Sequence, residues 1–511
     1  MVPVQAYLPS VTSCNILLGI FFVLIIRIIV VNVIYNLFFH PLSSYPGPKL
    51  WATCRLPWNF FNFKGRLGWR IRDLHNQYGP VIRIAPNELS YTTSSAWRKI
   101  YGQRSPEFEK AVDGRGIAPV EINGKRALMT ETSEGHARLR KAINPAFSER
   151  ALRDQEKYLQ VHSTTLLTQL SKSCKQGPVD MAKWYNLLSY DVITGKSTEL
   201  AFGKTANCLN QADQPHLQVL GNRAKSVVFF QFALQYGLMS VLQFLTPKYA
   251  REARRKHLAL SAAKVQARLQ AKSPGKDFMH YILENQEDNR FSSLDLTLLA
   301  STFIVAGSNT TADTMTGLTY LLLRNPDKMA RLTHEIRTTF RSRDEITMQS
   351  TTRCTYLTAC LDESMRLRPA LCCSLARTVP PGGGGEVIDG HLVPAGTGVG
   401  VHMLAAAHSG LNFARPMDFA PERWLELPPG SEFAGDDRGG SQPFSHGLRS
   451  CAGKALAWAE MRITMAKLLW LFEFELASPD EDWWNKQRTY LIWERLPLMV
   501  NLKPRTEDFM P

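Results

Sequence analysis

Between Phe444 and Gly453 the chain reads Phe-Ser-His-Gly-Leu-Arg-Ser-Cys-Ala-Gly, which surrounds one cysteine with residues suited to a metal-bound thiolate. A thiolate that binds iron and stays an anion needs backbone N–H groups aimed at its sulfur, and glycine lets the backbone come that close. Gly447 and Gly453 offer this freedom, Phe444 can shield the Cys451 sulfur from water, and Arg449 carries a planar fork of donors that can reach a haem propionate. The chemistry implied is that of a haem iron held by Cys451 as axial ligand. A lone cysteine is more often a small buried hydrophobe, but the residues fixed around this one weigh against that.

A second chemical stretch is Ala306-Gly307-Ser308-Asn309-Thr310-Thr311, inside a run from Ser292 to Arg324 with apolar residues at helical spacing. Ser292-Ser293-Leu294-Asp295 can cap its start. Gly307 removes a side chain and the Thr310 hydroxyl can bond back to a carbonyl, so a local loosening of the helix is expected. A plain small-residue helix crossing explains the same residues. The two stretches together resemble the cysteine loop and central helix of the cytochrome P-450 family, the haem-thiolate monooxygenases. The resemblance implies that Thr310 delivers protons and that Gly307 and Asn309 belong to the oxygen-binding groove. At Asn309 the family usually has an acid, and an amide can hold a water but cannot ionise. That departure keeps an oxygen-independent haem-thiolate isomerase or lyase open, beside a non-catalytic haem protein. Asn309-Thr310-Thr311 also spells a glycosylation sequon, rejected because it falls inside a predicted buried helix.

Glu363 and Arg366 stand three apart on one helical face just before Pro369, an arrangement that alone reads as a surface ion pair. With Arg423 in Pro421-Glu-Arg-Trp424, the resemblance makes them a structural triad on the cysteine side. His136 and Arg140 lie one helical turn apart, where both can point at one propionate or form a solvated basic face. The resemblance favours the propionate and adds Arg377. The Gly382 to Gly385 run lacks phosphate-loop spacing and reads as a turn.

These residues are scattered over most of the 511-residue chain yet must meet at one cofactor, so residues 49–511 are expected to form a single catalytic domain. The fold implied is mainly α with a small β subdomain, preceded by an N-terminal transmembrane helix. Hydrophobic residues make up 44% and charged residues 21%, an ordinary globular balance. The nine cysteines are an odd and irregular set with no CxxC pair, which argues against a disulfide framework or zinc site. A net charge of +15 fits a membrane surface or an acidic partner, and no basic cluster matches a nucleic-acid-binding module.

Residues 1–40 read as a membrane anchor. From Ile16 to Phe39 only Arg27, Asn32 and Asn36 interrupt 24 residues, against the roughly 20 that a bilayer core requires. Lys49, Arg55, Lys64, Arg66 and Arg70 follow it, which places the body on the cytosolic side of a single-pass anchor in the endoplasmic reticulum. Arg27 is costly at a bilayer centre, so a tilted or interfacial helix is the alternative. Residues 41–48 read as a proline-rich hinge.

The resemblance further implies haem b as cofactor and O2 as co-substrate. Because the chain shows no flavin or nicotinamide module, NADPH electrons arrive through a separate cytochrome reductase, with cytochrome b5 as a second donor. Arg138, Lys141 and Lys454 are candidates for the docking face. The substrate is an apolar small molecule, reached from membrane lipid and contacted from Glu107 to Val120, Val227 to Leu238, Leu299 to Val305, Ala370 to Leu375 and Thr489 to Trp493. Phe39-His-Pro-Leu42 and the stretch Tyr78 to Leu89 look like fungal microsomal members that tailor terpenoid or polyketide secondary metabolites.

Overall fold

Four helices carry many of the residues singled out above, α1 (Ser133–Ile143), α3 (Ser293–Arg324), α4 (Thr355–Leu367) and α5 (Lys454–Leu471), and a fifth, α2 (Met181–Thr194), packs among them. The computed structural model describes residues 26–27, 29–103, 106–116, 121–194, 208–210, 223–246, 248–270, 278–284 and 291–505. Most of the expected anchor falls outside these residues, as do positions 117–120 of one expected substrate segment. Among the described residues no helix is long and apolar enough to cross a membrane.

The longest element is α3, 32 residues and so roughly 48 Å from end to end. Ser292 and Asp295 start it with a reciprocal capping box. Leu296, Leu299, Ile304, Met315, Leu318 and Leu322 are all buried along it, and each such side chain contributes about 1.5–3 kcal/mol. The helix is buried on more than one face because α2, α4 and α5 pack around it. Against α2, the Tyr185 hydroxyl meets Thr319 Oγ1 at 2.8 Å. On its other side α2 is tied to α5 by the Ser189 hydroxyl, which donates to Glu460 at 2.5 Å.

A five-stranded sheet sits beside the helices, built from β1 (Val81–Ala85), β2 (Glu88–Tyr91), β3 (Glu109–Lys110), β4 (Arg377–Thr378) and β5 (Gly398–Val401). The order is β1-β2-β5-β4-β3, with only β2 and β5 parallel. Its second half matters most, because β3 and β4 set Lys110 opposite Arg377. A three-stranded sheet joins Phe472–Leu476, Met499–Pro504 and Val179–Asp180 near the chain's end.

The proline-rich segment is fastened to the body. Leu42 is completely buried, the Tyr45 hydroxyl donates to the Leu392 carbonyl, and the Arg83 N–H donates to the Pro46 carbonyl at 2.7 Å. Gly47 has φ +150°, and a Cβ there would lie 2.5 Å from the Arg83 carbonyl oxygen.

Candidate active site

The cysteine loop is held against the helix Ser94–Tyr101. Gly447 has φ +72°, and a Cβ on it would fall 1.9 Å from the Tyr101 carbonyl oxygen, so no other residue fits without moving the loop. Gly453 is different. Its φ of −85° is open to any residue and a Cβ would meet nothing closer than 3.8 Å, so the backbone freedom expected there is not used. The Cys451 N–H donates to the Phe444 carbonyl at 2.9 Å, closing the loop. The Phe444 ring packs 6.3 Å from Trp458, with the Lys454 ammonium 5.7 Å over its face. The Cys451 residue is solvent-exposed, yet protein crowds it closely. That crowding raises its thiol pKa, against the pull of the Gly453 N–H and the charges of Arg140 and Lys454.

Nearby, α1 begins at Thr132, whose hydroxyl accepts from the Gly135 N–H, and sends His136 and Arg140 in one direction. Arg449 donates to Glu107, to the Glu131 carbonyl at 2.8 Å and to Ser133 Oγ at 3.4 Å. Arg377 donates to the same Glu107 at 3.3 Å and to the Phe108 carbonyl at 3.1 Å. Burial alone would raise the Glu107 pKa, but Ser133 and the two arginines hold it below the usual carboxylate range. His136 is buried, and that burial together with Arg449, Lys110 and Arg140 pushes its pKa down to about 3, leaving it neutral. Lys110 is pushed down to about 7, first by burial and then by Arg377 and Arg449.

This cluster has more cations than carboxylates. Arg377, Arg449 and Lys110 gather around Glu107 and Glu109, Arg140 lies toward Cys451, and the buried Arg377 Nε has no partner among the described residues. A dianionic ligand whose carboxylates reach this cluster would find donors waiting, and a cation bound at Cys451 would favour its thiolate. The residues fit haem b.

Glu363, Arg366 and Arg423 do come together, completely buried. Arg366 grips Glu363 with two parallel bonds of 2.7 and 2.8 Å, and Arg423 Nε donates to the same carboxylate at 3.0 Å. Trp424 Nε1 at 2.8 Å and the Ala420 N–H at 3.0 Å complete the acceptor's shell. Burial would raise the Glu363 pKa, but Arg366 and Arg423 lower it. Arg423 also pairs with Asp436.

On α3 the helix runs on without a break through residues 306–311. The Thr310 hydroxyl does bond back, donating to the Ala306 carbonyl at 2.7 Å, but no loosening follows. A Cβ on Gly307 would lie 2.5 Å from Ile193 Cδ1, so the space it leaves is filled by α2, as in a close helix crossing. Asn309 is buried, and its Oδ1 accepts from Arg495 at 2.7 Å. A small cavity of about 220 Å³ including its mouth is lined by Asn309, Thr310, Asp313, Ala370, Trp493 and Arg495, among others. It therefore draws on two of the five segments expected to touch substrate.

Several site residues escaped the sequence reading. Lys110 and Asp436 gave no signal, because a two-residue strand and an irregular loop have no periodicity. Arg495 likewise reaches Asn309 from a distant loop. Asp313 also went unread, although it is the only acid of α3 beyond the first turn.

A cysteine presented to a cation-rich recess, beside a long helix bearing a threonine at a cavity, defines a haem-thiolate protein. The sequence profile of the cytochrome P450 family matches residues 46–502. Cytochrome P450 monooxygenase alt3 of Alternaria solani is 57% identical over 97% of this chain and 95% of its own length. Monooxygenase alt1 of the same organism is 48% identical over 92% of this chain and 91% of its own. Averantin hydroxylase of Dothistroma septosporum is 37% identical over 93% and 89%. The chain belongs to the cytochrome P450 family and is a monooxygenase that uses haem b and electrons from a redox partner.

Proposed function

We propose that this protein oxidises an apolar secondary metabolite of a fungus, a terpenoid or a polyketide, on the cytosolic face of the endoplasmic reticulum. The observation that carries the reading is the Cys451 loop, closed on the Phe444 carbonyl and seated where only Gly447 fits. Averantin hydroxylase among the relatives supports hydroxylation of a fungal secondary metabolite. Overall, substrate, O2, NADPH and a proton become hydroxylated substrate, water and NADP⁺.

Cys451 would hold the iron, and the cation cluster of His136, Arg140, Arg377 and Arg449 would hold the propionates. Haem bound there supplies activation of O2, favoured by a thiolate ligand. Neutral His136 offers an N–H to a carboxylate, while the arginines add charge-assisted bonds. Phe444 keeps water from the sulfur. Glu363, Arg366 and Arg423 lock the loop's support and take no part in chemistry. Thr310, whose hydroxyl already donates to Ala306, has lone pairs left to accept a proton and pass it on.

Membrane attachment rests on exposed apolar surface. Ile26, Ile29, Val30, Val31, Phe38 and Phe39 are exposed, and the surface continues through Leu50, Leu56 and Phe60. Phe63 carries it to Phe229, ring centroids 5.2 Å apart, and on toward Phe244 and Leu245. A tilted anchor leading into this face would let Arg27, itself exposed, reach the headgroups. Exposed Arg138, Lys141 and Lys454 would receive an acidic reductase or cytochrome b5.

The reduced carbon monoxide complex of the wild type is expected to show the thiolate-type Soret band, and Cys451→Ala to lack it. An unchanged band in the variant would overturn the ligand assignment. Mass spectrometry of products formed by microsomes given terpenoids or polyketides tests the substrate class.

A further inference from the structure

The acid missing at position 309 has a counterpart one helical turn further on. Asp313 follows Thr310 by three residues, so both sit on one face of α3, and both line the same cavity. The cavity has room for about one water. Asp313 Oδ1 is 2.7 Å from Arg368 NH1, whereas Oδ2, sealed from bulk solvent, has no hydrogen-bond partner among the described residues. Two cations face this carboxylate. Arg368 approaches from the end of α4, fixed over the rings of Trp493 at 4.7 Å and Trp483 at 5.4 Å. Arg495 approaches across the cavity and is bonded to Asn309.

We infer that Asp313 is the proton donor to Thr310 in this enzyme, acting through a water in the shared cavity, with Arg495 and Asn309 as its positioning partners. The inference rests on the haem-thiolate reading and deepens it. In the step, the Asp313 carboxyl gives its proton to the water, which gives one of its own to the Thr310 hydroxyl. Thr310 hands on a proton, and Asp313 regains one from solvent at the cavity mouth. No electrons move.

Two features make Asp313 suited to this. Its burial raises the carboxyl pKa despite the opposing charges of Arg368 and Arg495, so it holds a proton more readily than a surface aspartate. Its unpartnered oxygen needs a water, and a carboxyl with one oxygen fixed and one free can release a proton without losing its place. Asn309 cannot ionise, and its Oδ1 accepts from Arg495. Its part is to keep Arg495 at the cavity.

The test needs no known substrate. Full-length holoenzyme is reconstituted with a cytochrome reductase and NADPH, and O2 and hydrogen peroxide are followed together. O2 with one NADPH and one proton gives hydrogen peroxide. O2 with two NADPH and two protons gives two waters, the branch that requires prompt proton delivery.

Asp313→Asn is expected to slow the water branch about a hundredfold, so that peroxide accounts for nearly all O2 consumed. Adding Asn309→Asp to that variant, which returns an acid beside Arg495, is expected to recover the water branch. Asn309→Asp alone is expected to bring no several-fold fall in the peroxide share, because protons already reach Thr310 from Asp313. Infrared difference spectra across neutral pH, taken without turnover, are expected to show a buried carboxyl signal that Asp313→Asn removes.

An unchanged peroxide share in Asp313→Asn, or no lost carboxyl signal, overturns the inference. So does a several-fold fall in peroxide with Asn309→Asp alone, which would mean that the native site is starved of protons; this arm holds even if Asp313→Asn does not fold. Absence of the thiolate-type band in the wild type would instead tell against the haem-thiolate reading.

Discussion

Two buried ionic networks flank the site, and they are finished differently. Around Glu363 both carboxylate oxygens are saturated by Arg366, Arg423, Trp424 and the Ala420 N–H, and the carboxylate and both arginines are fully out of water. Around Asp313 one oxygen is paired to Arg368 while the other has no partner among the described residues and the group borders a cavity. A saturated knot cannot accept or release a proton without stranding charges, so it suits a support. An incomplete network tolerates a water and a change of protonation, so it suits chemistry. Residue type does not separate the two, since both join acids to arginines.

The contrast can be broken by experiment. The largest effect is expected from Glu363→Ala, which leaves Arg366 and Arg423 buried without their carboxylate. A loss of about 3–5 kcal/mol in urea unfolding is expected, with little haem retained. A loss under about 1 kcal/mol would show that the knot is not the support.

A second buried acid sharpens the comparison. Glu460 accepts a hydrogen bond from the Ser189 hydroxyl, and burial pushes its pKa up to about 7 from 4.5. Between those values the folded protein keeps a proton that the unfolded chain has lost. Stability should therefore fall as pH rises from about 4.5 through about 7, by on the order of 3 kcal/mol, and Glu460→Gln should remove that fall. Unfolding curves over this range check it, and an identical slope in the variant would refute the assignment.

The smallest stability effect is expected for Thr310→Ala. Thr310 makes one local bond to Ala306, so unfolding should shift by no more than about 0.5 kcal/mol. Its O2 consumption should nonetheless shift toward peroxide. Retention of the wild-type split would show that Thr310 does not pass protons.

What the sequence revealed follows the range of the interactions involved. The capping box of Ser292 and Asp295, the helical register of His136 with Arg140 and that of Glu363 with Arg366 are local, and all are present. Of the two uses read for Gly307 the structure shows the close helix crossing, a choice the sequence could not make because the side chain it makes way for, Ile193, lies more than a hundred residues earlier. Glu107 was read as the start of a substrate loop, whereas it bridges Arg449 and Arg377, a pairing created by the strands β3 and β4. Lys110 and Arg495 were missed for the same reason: each is placed by tertiary contact alone.

The seat of Gly447 on Tyr101 reaches further than the loop itself. The Tyr101 hydroxyl accepts from the Val401 N–H at 3.1 Å in β5, and the Arg377 guanidinium lies 5.5 Å over its ring. One tyrosine thus couples the seat of the cysteine loop to the position of Arg377. Any substitution that tips this ring should shift the seat of the cysteine loop and Arg377 together, although neither is itself changed.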